Sequence, residues 1–315
     1  MTPDPRRQLF ERSVRNPILT AADWPYTINS VFNPGAVRLA DGTTLLLCRV
    51  EERTGISHLC AARSSDGVGN WRIDPEPTLR PDPCRQEEVW GIEDPRITWL
   101  EELERYAVVY TAFSRPGPGV ALALTRDFVS FERLGLVMPP EDKDAALLPR
   151  RFNGRWLMIH RPAAGGTANI YISESPDLIH WGRHRLLLAT RRGGWWDEAR
   201  VGLASPPIET DAGWLMLYHG VRRTAAGCLY RVGLALLDRD EPWRCVRRGS
   251  EWIMGPAEPY ERTGDVSDVV FPCGHTIGAD GDTLNVYYGA ADTCIGLACG
   301  RVSALVAWLE SHCAE

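Results

Sequence analysis

The chain has 315 residues, with 35 Lys and Arg against 41 Asp and Glu and a formal net charge of −6, which argues against a general nucleic-acid binder. No apolar run approaches the ~20 residues of a membrane span, and the opening MTPDPRRQLFERS lacks the apolar stretch of a secretory leader. Nine cysteines, an odd number without a C-x-x-C pair, indicate neither a disulfide framework nor a zinc site, so the expectation is a reduced, cytoplasmic protein that binds no metal.

Residues 1–23 read as an N-terminal extension with a short helix around QLFERSV, followed by one catalytic domain over 24–315. From Val31 onward the same phrase returns five times: a polar-led strand, a second apolar strand, then a turn and an aromatic. The lead strands are VFNPGAVRL, GIEDPRITWL, DKDAALLPRRF, VGLASPPIET and SDVVFPCGHTI. Their polar leads, Asn33, Asp94, Lys143, Ser205 and Asp268, lie 61, 49, 62 and 63 residues apart. The second strands, TTLLLCRV, RYAVVYTAF, RWLMIHRP, GWLMLYHGV and DTLNVYYGA, are short and rich in β-formers. In the first four units an Asp precedes Trp71, Phe131, Trp181 or Trp243 by three to five residues, which reads as an Asp-led turn before an outer strand. A unit of this size cannot bury its own apolar face, so neighbouring units must stack. The fold class is therefore all-β, a five-bladed β-propeller with a site where the lead strands converge. The fifth unit ends differently, in GRVSALVAWLES, where 303–312 fits either a helix or a strand followed by a tail; the N-terminal segment can complete that blade.

Glu93-Asp94-Pro95-Arg96 is the most informative tetrapeptide. Adjacent residues of a strand point to opposite faces, so only one of the two acids is expected to face the axis directly. A carboxyl desolvated near Trp90 and Ile92 can serve as an acid near neutrality; the alternative is that Asp94 caps a turn and pairs with Arg96. Arg49, Lys143, His160 and Arg161 form a cationic group at strand ends. Charges there must meet a bound anion such as phosphate, or else interblade carboxylates such as Glu51, Glu52, Asp94 or Asp144. Tyr218, His219, Asp268 and Asp292 end strands in the last two units, where hydroxyl, imidazole and carboxylate groups beside aromatic faces suit a sugar ring. No G-x-S-x-G, phosphate-binding loop or dinucleotide fingerprint is present.

The series VFNPGAV, GIEDPR, DKDAALLP, IHRP, WWDEARVG, LYHGV, DVVFPCG and YYGAAD resembles the mannoside phosphorylases and related mannosidases of glycoside hydrolase family 130, in order from about Asn16 to Trp308. The resemblance implies a five-bladed propeller whose catalytic acid is Asp94, protonating the glycosidic oxygen through a mannosyl hydroxyl. Inorganic phosphate then attacks with inversion, without further cofactor. The resemblance places Arg49, Lys143, His160 and Arg161 on the phosphate side. Tyr218, His219 and Asp292 fall near the sugar or phosphate, and Asn33 on the first inner strand lines the pocket with Glu93 beside the acid.

Two departures from the family's pattern stand out: Asp268, where Asn is frequent, and GLASPP (202–207) in place of a Gly-rich run. An extra carboxylate at Asp268 would suit a base for water, which keeps inverting hydrolysis of the same mannosides as an alternative. Asp197 and Glu198 of WWDEAR offer further acids, which also read as a surface turn. Other readings are a furanosidase, which would need an acid where this chain has Asn33, and a non-catalytic sugar-binding propeller. The expected partners are a short oligosaccharide and phosphate, with neither nucleic acid nor membrane, and with homo-oligomerisation left open.

Overall fold

Strands make up nearly all the regular structure of the computed structural model, which describes residues 9–164, 167–225 and 227–313. A two-residue strand, β1 (Glu11–Arg12), comes first. The first sheet follows in sequence order as β2 (Ser30–Arg38), β3 (Thr44–Glu51), β4 (Ser57–Ser64) and β5 (Arg72–Ile73). The second sheet repeats this order with β6 (Ile92–Leu100), β7 (Arg105–Ser114), β8 (Gly117–Thr125) and β9 (Phe131–Met138).

A ten-stranded sheet comes next. It contains β10 (Asp142–Leu147), β11 (Trp156–Ala164), β12 (Thr167–Ala168), β13 (Ile170–Ser175) and β14 (Gly182–Leu188). It continues through β15 (Arg200–Leu203), β16 (Ile208–Thr210), β17 (Gly213–Thr224), β18 (Gly227–Leu237) and β19 (Cys245–Arg248). Among the described residues, its halves join only where Ala168 of β12 pairs in parallel with Arg200 of β15. The short helix α1 (Pro259–Arg262) precedes β20 (Val270–Ile277), β21 (Thr283–Ala290) and β22 (Cys294–Arg301), and α2 (Val302–Ser311) follows. The last sheet runs β1-β22-β21-β20, so the N-terminal segment supplies its outer strand.

At the termini the structure departs from one expectation and decides between two others. Among the described residues 9–14 there is no helix: Glu11 and Arg12 pair with Cys299 and Ala298 instead (Gln8 lies outside the described residues). Leu9 and Phe10 are buried in the same cluster as Val302, Leu305 and Trp308, because α2 turns one face inward against the last sheets. The stretch near 303–312 is thus helix rather than strand.

Apolar clusters lie between consecutive sheets. Leu45, Leu47 and Leu59 of the first meet Ile97, Val108 and Tyr110 of the second, and Val109 and Leu122 of the second meet Leu147 and Trp156. A further cluster joins Val31, Leu46 and Cys48 of the first sheet to Tyr287, Ile295 and Leu297 of the last, so packing runs from the end of the chain back to its beginning. The lead strands approach closely: β2 packs on β6 and β20, and β6 also touches β20 and β10. A Cβ on Gly35 would lie 2.7 Å from the Pro95 carbonyl oxygen, which leaves room there only for glycine.

The Asp-led turns recur with the same bonding. One carboxylate oxygen of Asp66, Asp127, Asp177 and Asp238 accepts two backbone N–H groups, at 2.9 and 2.9 Å, 2.9 and 2.8 Å, 3.0 and 2.8 Å, and 3.0 and 2.9 Å respectively. The aromatics that follow, Trp71, Phe131, Trp181 and Trp243, each pack against a cluster between sheets.

Candidate active site

Three lead strands share one irregularity. Cys48, Tyr110 and His160 each stand opposite two residues: Asn33-Pro34, Asp94-Pro95 and Asp144-Ala145. The first residue of each pair is left-handed, with φ of 45° at Asn33, 50° at Asp94 and 53° at Asp144. Such a bulge breaks the alternation of a strand and re-aims a side chain. It has two consequences. Asp144, not Lys143, occupies the place of Asn33 and Asp94. Moreover, Glu93 and Asp94 are not sent to opposite faces, and both meet the same guanidinium.

That guanidinium belongs to Arg49. It donates to Asp94 Oδ1 at 3.2 Å and Glu93 Oε1 at 3.1 Å, and its Nε donates to Ser57 Oγ at 3.0 Å. Asn33 Nδ2 donates to Asp94 Oδ1 at 2.9 Å, and Lys143 Nζ lies 4.0 Å from Oδ2. Asp94 is 2 % exposed. Burial pushes its carboxyl up, but Arg49, Lys143 and Arg96, with the Asn33 hydrogen bond, outweigh burial and hold it below the usual carboxylate range. Arg96 does not pair with the Asp94 carboxylate. It donates to the Asp94 backbone oxygen and reaches across to the carbonyls of Leu203 and Ala204, at 2.9, 3.0 and 3.0 Å, tying the second lead strand to β15 and the residue after it.

Beside this acid lies a cavity of about 350 Å³ lined by Lys143, Arg161, Arg200, Arg223, His219 and Tyr230 among others, with Glu141 on its wall. Lys143 therefore faces both the acid and the cavity. Arg161 is fixed by its Nε donating to Asp144 Oδ2 at 2.6 Å. Among the described residues, Arg200 and Arg223 form no ion pair, so the cavity gathers more positive charge than its own carboxylate answers. Clustered cations of this kind hold an anion.

Asp144 is fully buried behind this wall. Burial raises its carboxyl, while Arg161, His219 and Arg96 pull it well below the usual range. His219 Nε2 lies 3.5 Å from Asp144 Oδ2, and its ring leans on Phe271 at 4.6 Å between centroids. Burial above all pushes His219 down to about 3, so it is a neutral imidazole near pH 7.

Two expected site residues point elsewhere, because neighbours on a strand face opposite ways. His160 alternates with Arg161. Its Nδ1 bonds Asp142 Oδ2 at 2.6 Å and its Nε2 bonds Ser173 Oγ at 2.7 Å, so both ring nitrogens are taken by protein and it sits behind the wall. Tyr218 alternates with His219. Its ring stacks on Trp196 in an intersheet cluster, and its hydroxyl donates to Asp197 Oδ2 at 3.0 Å. Asp197 is also held by Arg191 and Arg248, which makes it part of a buried ion cluster and neither a surface turn nor a base at the site.

Asp268 is half-buried, with φ of 59°. Its carbonyl accepts from the Tyr230 amide at 3.4 Å, and it does not line the cavity. Asp292, at φ of 50° just after β21, lies in the field of the acid: burial first and Asp94 second push it up to about 6, against Arg49 and Lys143. Gly289 abuts Asn33, and a Cβ there would collide with the Asn33 amide oxygen.

Sequence reasoning named Asp144 only as a pairing partner and passed over Arg200, Arg223 and Tyr230. The charged D-K-D triplet and the Arg leading VGLASPP were visible signals. Arg223, near the end of β17, gave none.

A buried carboxylate beside a cation-lined cavity, where strands of an all-β body converge, can supply a proton to a substrate held next to an anion. The chain belongs to glycoside hydrolase family 130: the family model, described as beta-1,4-mannooligosaccharide phosphorylase, matches residues 6–311. Over 306 residues the chain is 34 % identical to the beta-1,4-mannooligosaccharide phosphorylase of Ruminococcus albus, covering 94 % of this chain and 90 % of that protein. It is 38 % identical over 259 residues to the beta-1,2-mannobiose phosphorylase of Listeria innocua, covering 82 % and 70 %. The solved beta-1,2-mannobiose phosphorylase from Listeria innocua, in complex with beta-1,2-mannobiose, superposes with a TM-score of 0.87 at 31 % identity, covering 96 % of this chain and 99 % of that one.

Proposed function

We propose that the protein is an inverting phosphorylase of short β-mannosides. A phosphate oxygen forms a bond to the anomeric carbon, the bond from that carbon to the glycosidic oxygen breaks, and the leaving oxygen takes a proton. The products are α-mannose 1-phosphate and the shortened sugar. The observation that carries this reading is Lys143, which touches the buried Asp94 and lines the cavity with Arg161, Arg200 and Arg223. The named relatives, all phosphorylases of β-mannosides, support it.

In this reading Asp94 is the acid and Lys143, Arg161, Arg200 and Arg223 cradle phosphate, while Arg49 holds Asp94 and Glu93. Asn33, Glu93, His219 and Asp292 surround the sugar. Among the described residues no group of three or more His, Cys, Asp or Glu is placed to hold a metal, and no helix is long and apolar enough to cross a membrane. Inorganic phosphate is the co-substrate, and no other cofactor is invoked. The surrounding cations keep Asp94 ionised before phosphate arrives. The negative charge of bound phosphate next to Lys143 offsets them, so phosphate binding raises the acid towards the protonated form it needs.

We also infer five blades. Among the described residues the ten-stranded sheet divides at the β12–β15 pair, and five large apolar clusters separate the resulting five sheets, the last packing on the first. The nine free thiols suit a reducing cytoplasm.

Hydrolysis would need a base, and the half-buried Asp268 lies off the cavity, so no observation favours that alternative. Asp94→Asn should lower turnover at least ~100-fold with unchanged folding, and Lys143→Ala should raise the KM for phosphate far more than that for sugar. Near-normal activity of Asp94→Asn, or equal KM effects from Lys143→Ala, would refute the assignment.

A further inference from the structure

The strand end that leads into Glu93 and Asp94 carries an exposed aromatic that the mechanism does not use. Trp90, in the turn just before β6, is 46 % exposed although its amide is fixed, donating to the Phe113 carbonyl at 2.9 Å. Its ring meets that of Phe113 edge-on, with centroids 5.5 Å apart. Phe113 stands directly opposite Pro118, and Pro118 is part of the wall of the cationic cavity. On the other side, Gly91 pairs in parallel with Ser57, which sets the preceding residues, Ile56 and Trp90, beside each other; Ile56 is 38 % exposed. A short apolar ledge thus runs along the rim of the site.

Exposed large apolar side chains need a reason when they gather. The ledge is only a few residues wide, far below the ~800 Å² per partner of a stable protein interface. It adjoins Ser57, whose hydroxyl accepts from Arg49 Nε, and Arg49 in turn holds Glu93, so donors and acceptors lie next to it. A pyranose ring has the matching chemistry, with an apolar face for the indole and a rim of hydroxyls for the charged groups. Position fixes which sugar. Trp90 is neither part of the lining of the cationic cavity nor among the groups that hold the Asp94 carboxylate, so a ring stacked on it lies outside the pocket of the bond being broken.

We propose that Trp90, backed by Phe113, is a stacking platform for a sugar of the leaving group beyond the one directly attached to the cleaved bond. The proposal rests on the phosphorylase reading for the name of the leaving group but not for the stacking itself. Trp90 would then select for chain length: it grips a trisaccharide and adds little to a disaccharide.

The test is calorimetric binding of β-1,4- and β-1,2-mannotriose to the wild type, Trp90→Ala and Trp90→Tyr, beside the KM for inorganic phosphate. At least one trisaccharide should bind Trp90→Ala about tenfold more weakly than wild type, the equivalent of 1.4 kcal/mol. Trp90→Tyr should recover most of the loss, and the phosphate KM should not move. Equal affinity of wild type and Trp90→Ala would overturn the platform. So would equal losses in the Ala and Tyr variants, which mark structural damage, or failure of both trisaccharides to bind the wild type. Stacking that follows this pattern in a protein that makes no mannose 1-phosphate would uphold the platform and refute the phosphorylase reading alone.

Discussion

Asp94 and Asp292 are two carboxyls in one electrostatic neighbourhood with opposite fates. Arg49, Lys143 and Arg96 keep Asp94 ionised, whereas Asp292, half-buried, desolvated and repelled by Asp94, is pushed up to about 6. In the unfolded chain Asp292 would titrate near its ordinary 3.8. Between these values the native protein holds a proton that the unfolded chain has released. The contribution of Asp292 to stability is therefore most favourable below pH 4, falls as pH rises towards 6, and stays low above. Asp292→Asn should consequently raise the melting temperature relative to wild type at pH 7.5, with the difference shrinking towards pH 4. An identical difference at both pH values, or a less stable variant at pH 7.5, would contradict this account. The same residue scale shows what sequence could reveal. Asp94 was legible from its motif, whereas the D-K-D triplet marked a charged strand start without saying that Asp144, and not Lys143, takes the left-handed bulge position.

At the scale of elements, alternation and its interruptions place every side chain of the site. Regular alternation along β11 and β17 sends Arg161 and His219 to the cavity and His160 and Tyr218 behind it. The bulge in β6 suspends the rule and gives Arg49 two carboxylates at once. Strand positions and the recurring turns could be read from the sequence through β-formers and Asp spacing. Bulge register could not, since it depends on how the lead strands crowd at the axis. The turns are testable units. Asp127 accepts the Val129 and Ser130 amides, so Asp127→Ala should lower stability in urea by on the order of 1 kcal/mol, and Asp127→Asn, which keeps a carbonyl oxygen, by much less. An unchanged midpoint for Asp127→Ala would mean that the turn is held by the flanking strands alone.

For the molecule as a whole, closure creates the site. The cluster between the last and first sheets brings Asn33, Gly289 and Asp292 to Asp94, although these residues are separated by most of the chain. The repeat period made the stacking legible. At the termini, the N-terminal strand of the last sheet and a helix near 303–312 were among the expectations, whereas the helix around QLFERSV was not found among the described residues, because Glu11 and Arg12 take strand conformation as partners of β22.

The most direct test is product analysis on β-1,2- and β-1,4-mannobiose with and without inorganic phosphate. Mannose 1-phosphate of α configuration, formed only when phosphate is present, is the predicted result. Free mannose released equally in both conditions would contradict it and make the protein a hydrolase.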